Sequence, residues 1–464
     1  MRISLKEAAK ITGGTVVHGT DITFNGVSYD SRQIANGQLF AAVKGEHADG
    51  HDFAKAAVEN GGSAVLAERD PFSGESVAPV LIVKDSVQAL QAMAHDCRSR
   101  FSGKVIGLTG TAGKTTTKEL LANILSVNGK TFRSPMNLNT QIGISTSILS
   151  ADGDEMFWVL EAGISHPNDM DELGSMIEPD LAIILNVGAG HSLGLGDKGT
   201  AYYKARLLRY RRPSHPALIS DDYPDLKRET LGLPDIAFFS TQNPDVPFYA
   251  KYIGTDEAGK GLYALKLDGA HLEVRTELAG EYAAENIIAA AAAAYLLGLS
   301  PDEIAVGVQS CGFHTHRFSR SQINGWNIID DSYNANPLSM QKMLLAAREI
   351  AGKGELVCML GAMGELGEVA EKEHERLGEL LASLPCSAVF WQGNYAEQVK
   401  HGLDTMHASS VFKKVDSPEE FLEKFLQWKN AGNVGTGTVF FKGSRVNYLE
   451  NNVKIFSDWV SHVV

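Results

Sequence analysis

The stretch GLTGTAGKTTTKEL, Gly107 to Leu120, follows the apolar run KVIGL and carries glycines at 110 and 113 ahead of the pair Lys114-Thr115. Glycines let backbone N–H groups close on phosphate oxygens, and a helix opening near Lys114 adds positive partial charge. The lysine can reach terminal phosphates, and the Thr115 hydroxyl can ligate Mg²⁺. Gly110, Thr111, Gly113, Lys114, Thr115 and Thr116 are therefore the expected triphosphate contacts. The strict spacing G-x-x-x-x-G-K-[ST] needs glycine at 108, however, and Leu108 stands there with Gly107 one place earlier.

Other residues invite chemistry by type and position. Glu161 ends the apolar run FWVLEAG and His191 lies just beyond LAIILNVGAGH, so both fall at strand ends near the loop, where they suit metal ions on a transferred phosphate. Lys204, in GTAYYKARLL, reads on composition alone as a surface lysine of a helix. In DDSYNANP, Asp330 to Pro337, the aspartates suit ribose hydroxyls and Tyr333 offers a stacking face. Near the start, YDSRQIANGQLFAAVKGEHADGHDF gathers Ser31, Arg32, Lys44, Asp49 and His51 among glycines, a set suited to a second anionic ligand such as a diphosphate. FFKGSR adds Lys442, Ser444 and Arg445, suited to a carboxylate.

The elements that must hold these residues read as α/β. A chain of 464 residues exceeds one ordinary core, and the patterning predicts three domains. Residues 1–85 form a small α/β unit. Residues 86–312 form a mainly parallel sheet around the phosphate loop, with hairpins over 234–278 and a buried alanine-rich helix from IIAAAAAAYLLGL. Residues 313–464 form a second, Rossmann-like alternation, and ligands of such sheets bind beyond the strands' C-terminal ends. Net charge of -14 with scattered acids argues against a nucleic-acid partner. The four cysteines are far apart and show no metal spacing, which predicts reduced thiols in the cytoplasm. No apolar run reaches the roughly 18 residues of a membrane span, and the N-terminus lacks a signal-peptide core.

Taken together, the motifs resemble the Mur ligase family, which couples ATP to amide-bond formation in peptidoglycan precursors. GLTGTAGKTTT is similar to that family's variant phosphate loop, with its first glycine one place early. DSRQIANGQLFAAVKGEHADGHDF, NLNTQIG, EAGISHPNDM, IDDSYNANP, MGELGE and KGSR all resemble the branch that adds D-alanyl-D-alanine to UDP-N-acetylmuramoyl-tripeptide. The resemblance implies ATP and Mg²⁺ as cofactors, those two small molecules as partners, and a monomer. It also implies roles. Lys114, Glu161, His191 and Lys204 would be catalytic. Thr115, Glu161, His191 and a carbamylated Lys204 would hold metal. Asn286 would hold adenine, Arg317 and Asp331 the rest of the nucleotide, and Tyr333 would flank the base. Ser31, Arg32, Lys44, Asp49 and His51, with Asn139 and Thr140, would bind the UDP-substrate, and Asn334, Asn336, Lys442, Ser444 and Arg445 the acceptor. The chain departs from the family pattern at Ala112 (usually asparagine), Tyr282-Ala283 (usually His-Asn), His316 (usually glycine) and Ala362 (usually aspartate). Rival readings are another amide ligase of this kind, a folylpolyglutamate synthetase, or a non-catalytic nucleotide-sugar binder. The N-terminal module argues against the folate enzyme, and the lack of an N-K-x-D motif argues against a GTPase.

Overall fold

The computed structural model describes residues 2–462 except 20, 46–47, 137, 189–194, 196–197, 258, 313–315, 407–409 and 433. Three main sheets succeed one another along the chain. The first has five short strands in the order Thr15–Val17, Val80–Ile82, Ala64–Ala67, Leu39–Ala41, Val27–Ser28. All neighbours run parallel except the Thr15–Val17 edge. Beyond it, the helix Ser86–Arg100, capped by Asp85, packs its apolar face into a core shared with the second sheet, where Leu90, Met93 and Cys97 join Ile144, Ile148 and Leu160.

The second sheet has nine strands. At its centre β1 (Lys104–Thr109) lies between β2 (Phe157–Glu161) and β3 (Leu181–Ile184), all parallel. Strands buried on both faces must be almost wholly apolar, which is why VIGL and LAII read as unbroken runs. One edge is the antiparallel meander Phe248–Thr255, Gly261–Leu267, Ala270–Thr276, within the stretch that the sequence marks for hairpins. Helix α1 (Lys114–Leu125) follows β1, and α2 (Gly199–Ala205) follows β3. The alanine-rich segment forms α3 (Ala284–Leu296), in which every residue from Ala284 to Ala294 is buried. Alanine lets this helix lie close to its neighbours while losing no side-chain entropy.

The third sheet has six strands. Its β4 (Trp326–Asp331) leads through an Asn336 cap into α4 (Pro337–Ala351) and then to β5 (Leu356–Gly361). The last strand, β6 (Thr438–Lys442), inserts between β4 and β5 in parallel. That insertion is the sheet's switch point, and it aims the ends of β4 and β6 at the phosphate loop of the second sheet.

Candidate active site

The phosphate loop is built by β1 stopping at Thr109 and α1 starting at Lys114. Gly113 caps the helix at φ 77°, and a Cβ there would come within 2.1 Å of Asn286 Oδ1. Both the backbone conformation and the close approach therefore demand glycine. Gly107 has a different task. It lies inside β1, where its missing Cβ makes room for Ile177 and Pro179. The displaced first glycine thus serves strand packing, and the loop itself begins at Gly110.

Asn186, just beyond β3, fixes the first half of the loop. Its Oδ1 accepts the N–H groups of Thr111 (2.9 Å) and Ala112 (2.8 Å), and its Nδ2 donates to Ala112 O (3.0 Å). The first N–H groups of α1 have no intrahelical acceptor and remain for an anion. The Thr111 hydroxyl is buried without a partner among the described residues. A triphosphate in the loop would supply the acceptors that both lack.

Two lysines converge on one carbonyl. Lys114 Nζ donates to Gly110 O at 2.8 Å, and Lys204 Nζ donates to the same oxygen at 3.0 Å. Lys204 is fully buried, so the surface reading of this residue does not hold in the fold. Burial pushes its ammonium well below the ordinary lysine value; nearby Lys114 acts the same way and Glu161 opposes. Burial also lowers Lys114, against the pull of Glu161 and with the help of Arg317. The Glu161 carboxylate, at the end of β2, accepts from Thr115 Oγ1 at 2.7 Å and from Asn139 Nδ2 at 3.0 Å. A hydroxyl beside a buried carboxylate is the hard-oxygen donor set that Mg²⁺ selects. His191 lies outside the described residues.

The third sheet closes the other side of a cleft of about 750 Å³, lined by the loop, Thr116, Asn139, Thr140, Glu161, Asn286, Arg317, Asp331, Tyr333, Asn334, Asn336, Lys442, Ser444 and Arg445. Asn336 Nδ2 crosses to Thr111 O at 3.1 Å. Asp331 accepts from Phe318 N and from the buried Lys442 ammonium; burial raises its carboxyl, and Lys442 opposes. The Arg317 guanidinium lies 4.0 Å over the Tyr333 ring. His316, where the family's glycine is usual, adopts φ 68° and bonds Asp330 through Nδ1 at 2.6 Å. That bond offsets part of the cost of a left-handed residue. Ser444 Oγ donates to Ala362 O at 2.7 Å, so its proton is already engaged, while Arg445 is exposed and paired with Glu450 at 2.6 Å.

The N-terminal set stands apart, and none of its five residues lines the cleft. Arg32 forks onto Asp30 and is largely exposed. Asp49 accepts from His51 Nδ1 at 2.6 Å and from Arg69 at 2.8 Å, while His51 Nε2 accepts Glu68 N–H at 3.0 Å. These bonds place the imidazole proton on Nδ1. Lys44 bridges Asp49 along the backbone, and Ser31 O accepts from Asn60. Sequence reasoning missed Asn186, Glu285 and Lys342. It also missed Lys118, whose buried ammonium pins Ser134 O (2.6 Å) and Met136 O (2.9 Å) ahead of Asn139. No motif marks them, although a second lysine one turn after Lys114 was a usable signal.

A phosphate loop, a carboxylate on the adjoining strand end and a second α/β layer closing over both define a nucleotide-dependent enzyme whose site lies between two sheets. Profiles of the Mur ligase family match three successive stretches: the family's catalytic domain at residues 23–98, the Mur ligase middle domain at 108–294 and the glutamate ligase domain at 316–445. The UDP-N-acetylmuramoyl-tripeptide--D-alanyl-D-alanine ligase of Escherichia coli (strain K12) is 32% identical over 381 residues, covering 81% of this chain and 83% of its own. The crystal structure of MurF from Acinetobacter baumannii has a TM-score of 0.87 at 27% identity, covering 99% of both chains. That of the Thermotoga maritima MurF ligase in complex with ADP has 0.79 at 30%, covering 94% of this chain and 98% of that one. The chain belongs to the Mur ligase family.

Proposed function

We propose that this chain is an ATP-dependent ligase that joins D-alanyl-D-alanine to UDP-N-acetylmuramoyl-tripeptide in the cytoplasm, giving the pentapeptide precursor, ADP and phosphate. The observation that carries the reading is that Lys114, Thr115 and Glu161 face Arg317, Asp331 and Asn336 across one cleft, in a chain similar throughout to ligases of that name. Residues 1–85 hold the UDP moiety, 86–312 the nucleotide triphosphate, and 313–464 the acceptor and the closing face.

A carboxylate resists amines because its charge repels them and oxide leaves poorly. Transfer of the γ-phosphoryl group to a tripeptide carboxylate oxygen makes an acyl phosphate and releases ADP. The dipeptide amine then attacks the acyl carbon, loses a proton, and phosphate departs with the C–O bond. Phosphoryl transfer needs mostly positioning and electrostatics. Lys114 supplies a cation at the phosphates, and closure of α4 onto the loop excludes water that would hydrolyse the acyl phosphate. Thr115, Glu161 and His191 would hold Mg²⁺, whose charge neutralises the transferring phosphoryl oxygens. Lys204 would join them as a carbamate. Its depressed ammonium favours the free amine, which adds to CO₂ by forming an N–C bond and releasing a proton. Asn286 and Tyr333 border the base, while Asn334, Lys442, Ser444 and Arg445 form the acceptor wall.

The test is phosphate release from ATP with a panel of UDP-muramoyl peptides and amine acceptors. Turnover that requires both the tripeptide substrate and D-alanyl-D-alanine supports the reading. Turnover with a folate substrate and glutamate, or nucleotide-sugar binding without turnover, sinks it.

A further inference from the structure

The start of α4 grips the phosphate loop in two ways. Directly, Asn336 donates to Thr111 O at 3.1 Å. Indirectly, Lys342, little more than one turn into the helix, donates to Glu285 Oε2 at 2.7 Å. That same carboxylate oxygen accepts from Asn186 Nδ2 at 2.9 Å, and Asn186 Oδ1 holds the N–H groups of Thr111 and Ala112. Thr111 is thus held at its carbonyl and at its N–H by two routes from one helix of the opposite layer.

Each link has one workable orientation. The Asn186 carboxamide has two acceptor lone pairs and two donor hydrogens, and all four are matched: two loop N–H groups on the oxygen, Ala112 O and Glu285 on the nitrogen. Reversing the amide would set donors against donors and an oxygen against a carboxylate. Glu285 and Asn186 are both buried, so the carboxylate depends on Lys342 for its counter-charge. Lys342 is further held by the Tyr223 hydroxyl at 3.1 Å. Burial alone would depress its ammonium, but Glu285 and Tyr223 more than reverse this and leave it above the ordinary lysine value.

We infer that Lys342 is a positioning residue that couples docking of the C-terminal layer to the shape of the phosphate loop, through Glu285 and Asn186. When α4 withdraws, Glu285 loses its counter-charge and the Asn186 side chain is held less firmly, so its bonds to the loop amides loosen, more at Ala112 than at Thr111, whose N–H also donates to the Asn186 backbone carbonyl at 3.1 Å. By reciprocity, a triphosphate that selects the ordered loop strengthens docking of α4. The inference rests on ATP being the loop's ligand.

The test combines amide hydrogen exchange over residues 110–117, in the free protein and with the β,γ-imido analogue of ATP, with steady-state kinetics. The key variant is the double substitution Glu285→Gln/Lys342→Met, which cuts the step from α4 to residue 285 and leaves no unpaired buried charge. It is expected to speed exchange at Ala112, and less at Thr111, whose N–H keeps the Asn186 backbone carbonyl, and to raise the KM for ATP about tenfold, while the KM for the UDP-linked substrate stays at the parent value. Lys342→Arg, which keeps the cation, is expected to retain parent exchange and KM. A double variant with parental exchange and ATP KM overturns the inference. So does a parallel rise in both KM values, which would indicate general loosening. The free-protein exchange needs no turnover, so it stands or falls separately from the assigned reaction.

Discussion

Thr115 and Glu161 meet through a hydroxyl–carboxylate hydrogen bond of 2.7 Å, which ties the second residue of α1 to the last residue of β2. The carboxylate's other oxygen is held by Asn139, from the segment that also carries Thr140. One acidic side chain thereby joins the phosphate loop, the neighbouring strand and the NLNTQIG loop. Its placement leaves only the charge, not the shape, for a conservative substitution to remove.

Glu161→Gln is therefore expected to fold normally, because the amide oxygen can still accept from Thr115 and its nitrogen can donate to Asn139 once that carboxamide turns its oxygen inward. Activity should fall about a hundredfold or more, since the anionic ligand for Mg²⁺ is gone. Titrating Mg²⁺ against rate should show a raised half-saturation concentration in the variant. An unchanged magnesium dependence would remove Glu161 from the metal site.

Gly113→Ala tests the loop itself. The φ of 77° costs an alanine about 1–2 kcal/mol, and its methyl would collide with Asn286 Oδ1 at 2.1 Å. Relief requires Asn286 to move, which also breaks the 3.2 Å bond from Thr117 Oγ1. Calorimetry should show ATP affinity lost while binding of the UDP-linked substrate persists. Retained ATP affinity would mean that the asparagine yields freely.

Parts of this arrangement were legible in the sequence for physical reasons, and parts were not. The two-faced burial of β1, β2 and β3 leaves unbroken apolar runs, and each ends where the sheet must present chemistry, so Lys114, Thr115 and Glu161 could be named from local pattern. Asn186 could not, because its role depends on β3 lying beside β1, a fact of sheet order. Glu285 and Lys342 are 57 residues apart and meet only when two layers dock. Composition alone read Lys204 as a surface lysine, because a seven-residue helix does not reveal which face is covered. Ser444 and Lys442, expected at the acceptor, line the cleft, but composition did not show that Ala362 O engages the first and Asp331 the second. Composition marks a polar strand end, but it does not say whether its donors face inward or outward.

Lys204 yields a prediction about pH. Its folded pKa is lowered by burial from the ordinary 10.5, so the unfolded chain binds more protons than the folded one below that value. The contribution of this group to stability is complete above pH 10.5 and is lost as pH falls toward the folded pKa. In CO₂-free buffer, urea midpoints of the unmodified protein should rise between neutral and alkaline pH, and Lys204→Met should flatten that slope. With ¹³C-bicarbonate, a carbamate resonance should appear in the parent and be absent from Lys204→Met. Lys204→Ala should be nearly inactive and partly rescued by acetate. A fully active alanine variant would end the carbamate proposal.

The acceptor wall separates two residues that sit side by side. Ser444 donates to Ala362 O and accepts from Asn447 Nδ2 at 2.9 Å, both buried, so Ser444→Ala should act on the fold. The loss of a buried partner predicts roughly 1–3 kcal/mol of destabilisation, visible in thermal melts, with acceptor KM changed little. Arg445 is the opposite case. Its guanidinium is exposed, lies 6.0 Å from the Tyr333 ring and 5.6 Å from the Tyr448 ring, and makes a surface pair with Glu450. Such pairs contribute little to stability, so Arg445→Ala should melt like the parent. If Arg445 binds the dipeptide carboxylate through charge-assisted hydrogen bonds, its removal should raise the KM for D-alanyl-D-alanine about tenfold or more and leave that for ATP nearly unchanged. A single amino acid is shorter by one residue, about 3.3–3.6 Å of extended chain, and would leave its carboxylate short of the guanidinium. Single D-amino acids should therefore fail as acceptors in the parent even at high concentration. Equal rises in both KM values for Arg445→Ala, or efficient turnover with one amino acid, would move the acceptor carboxylate to another part of the cleft.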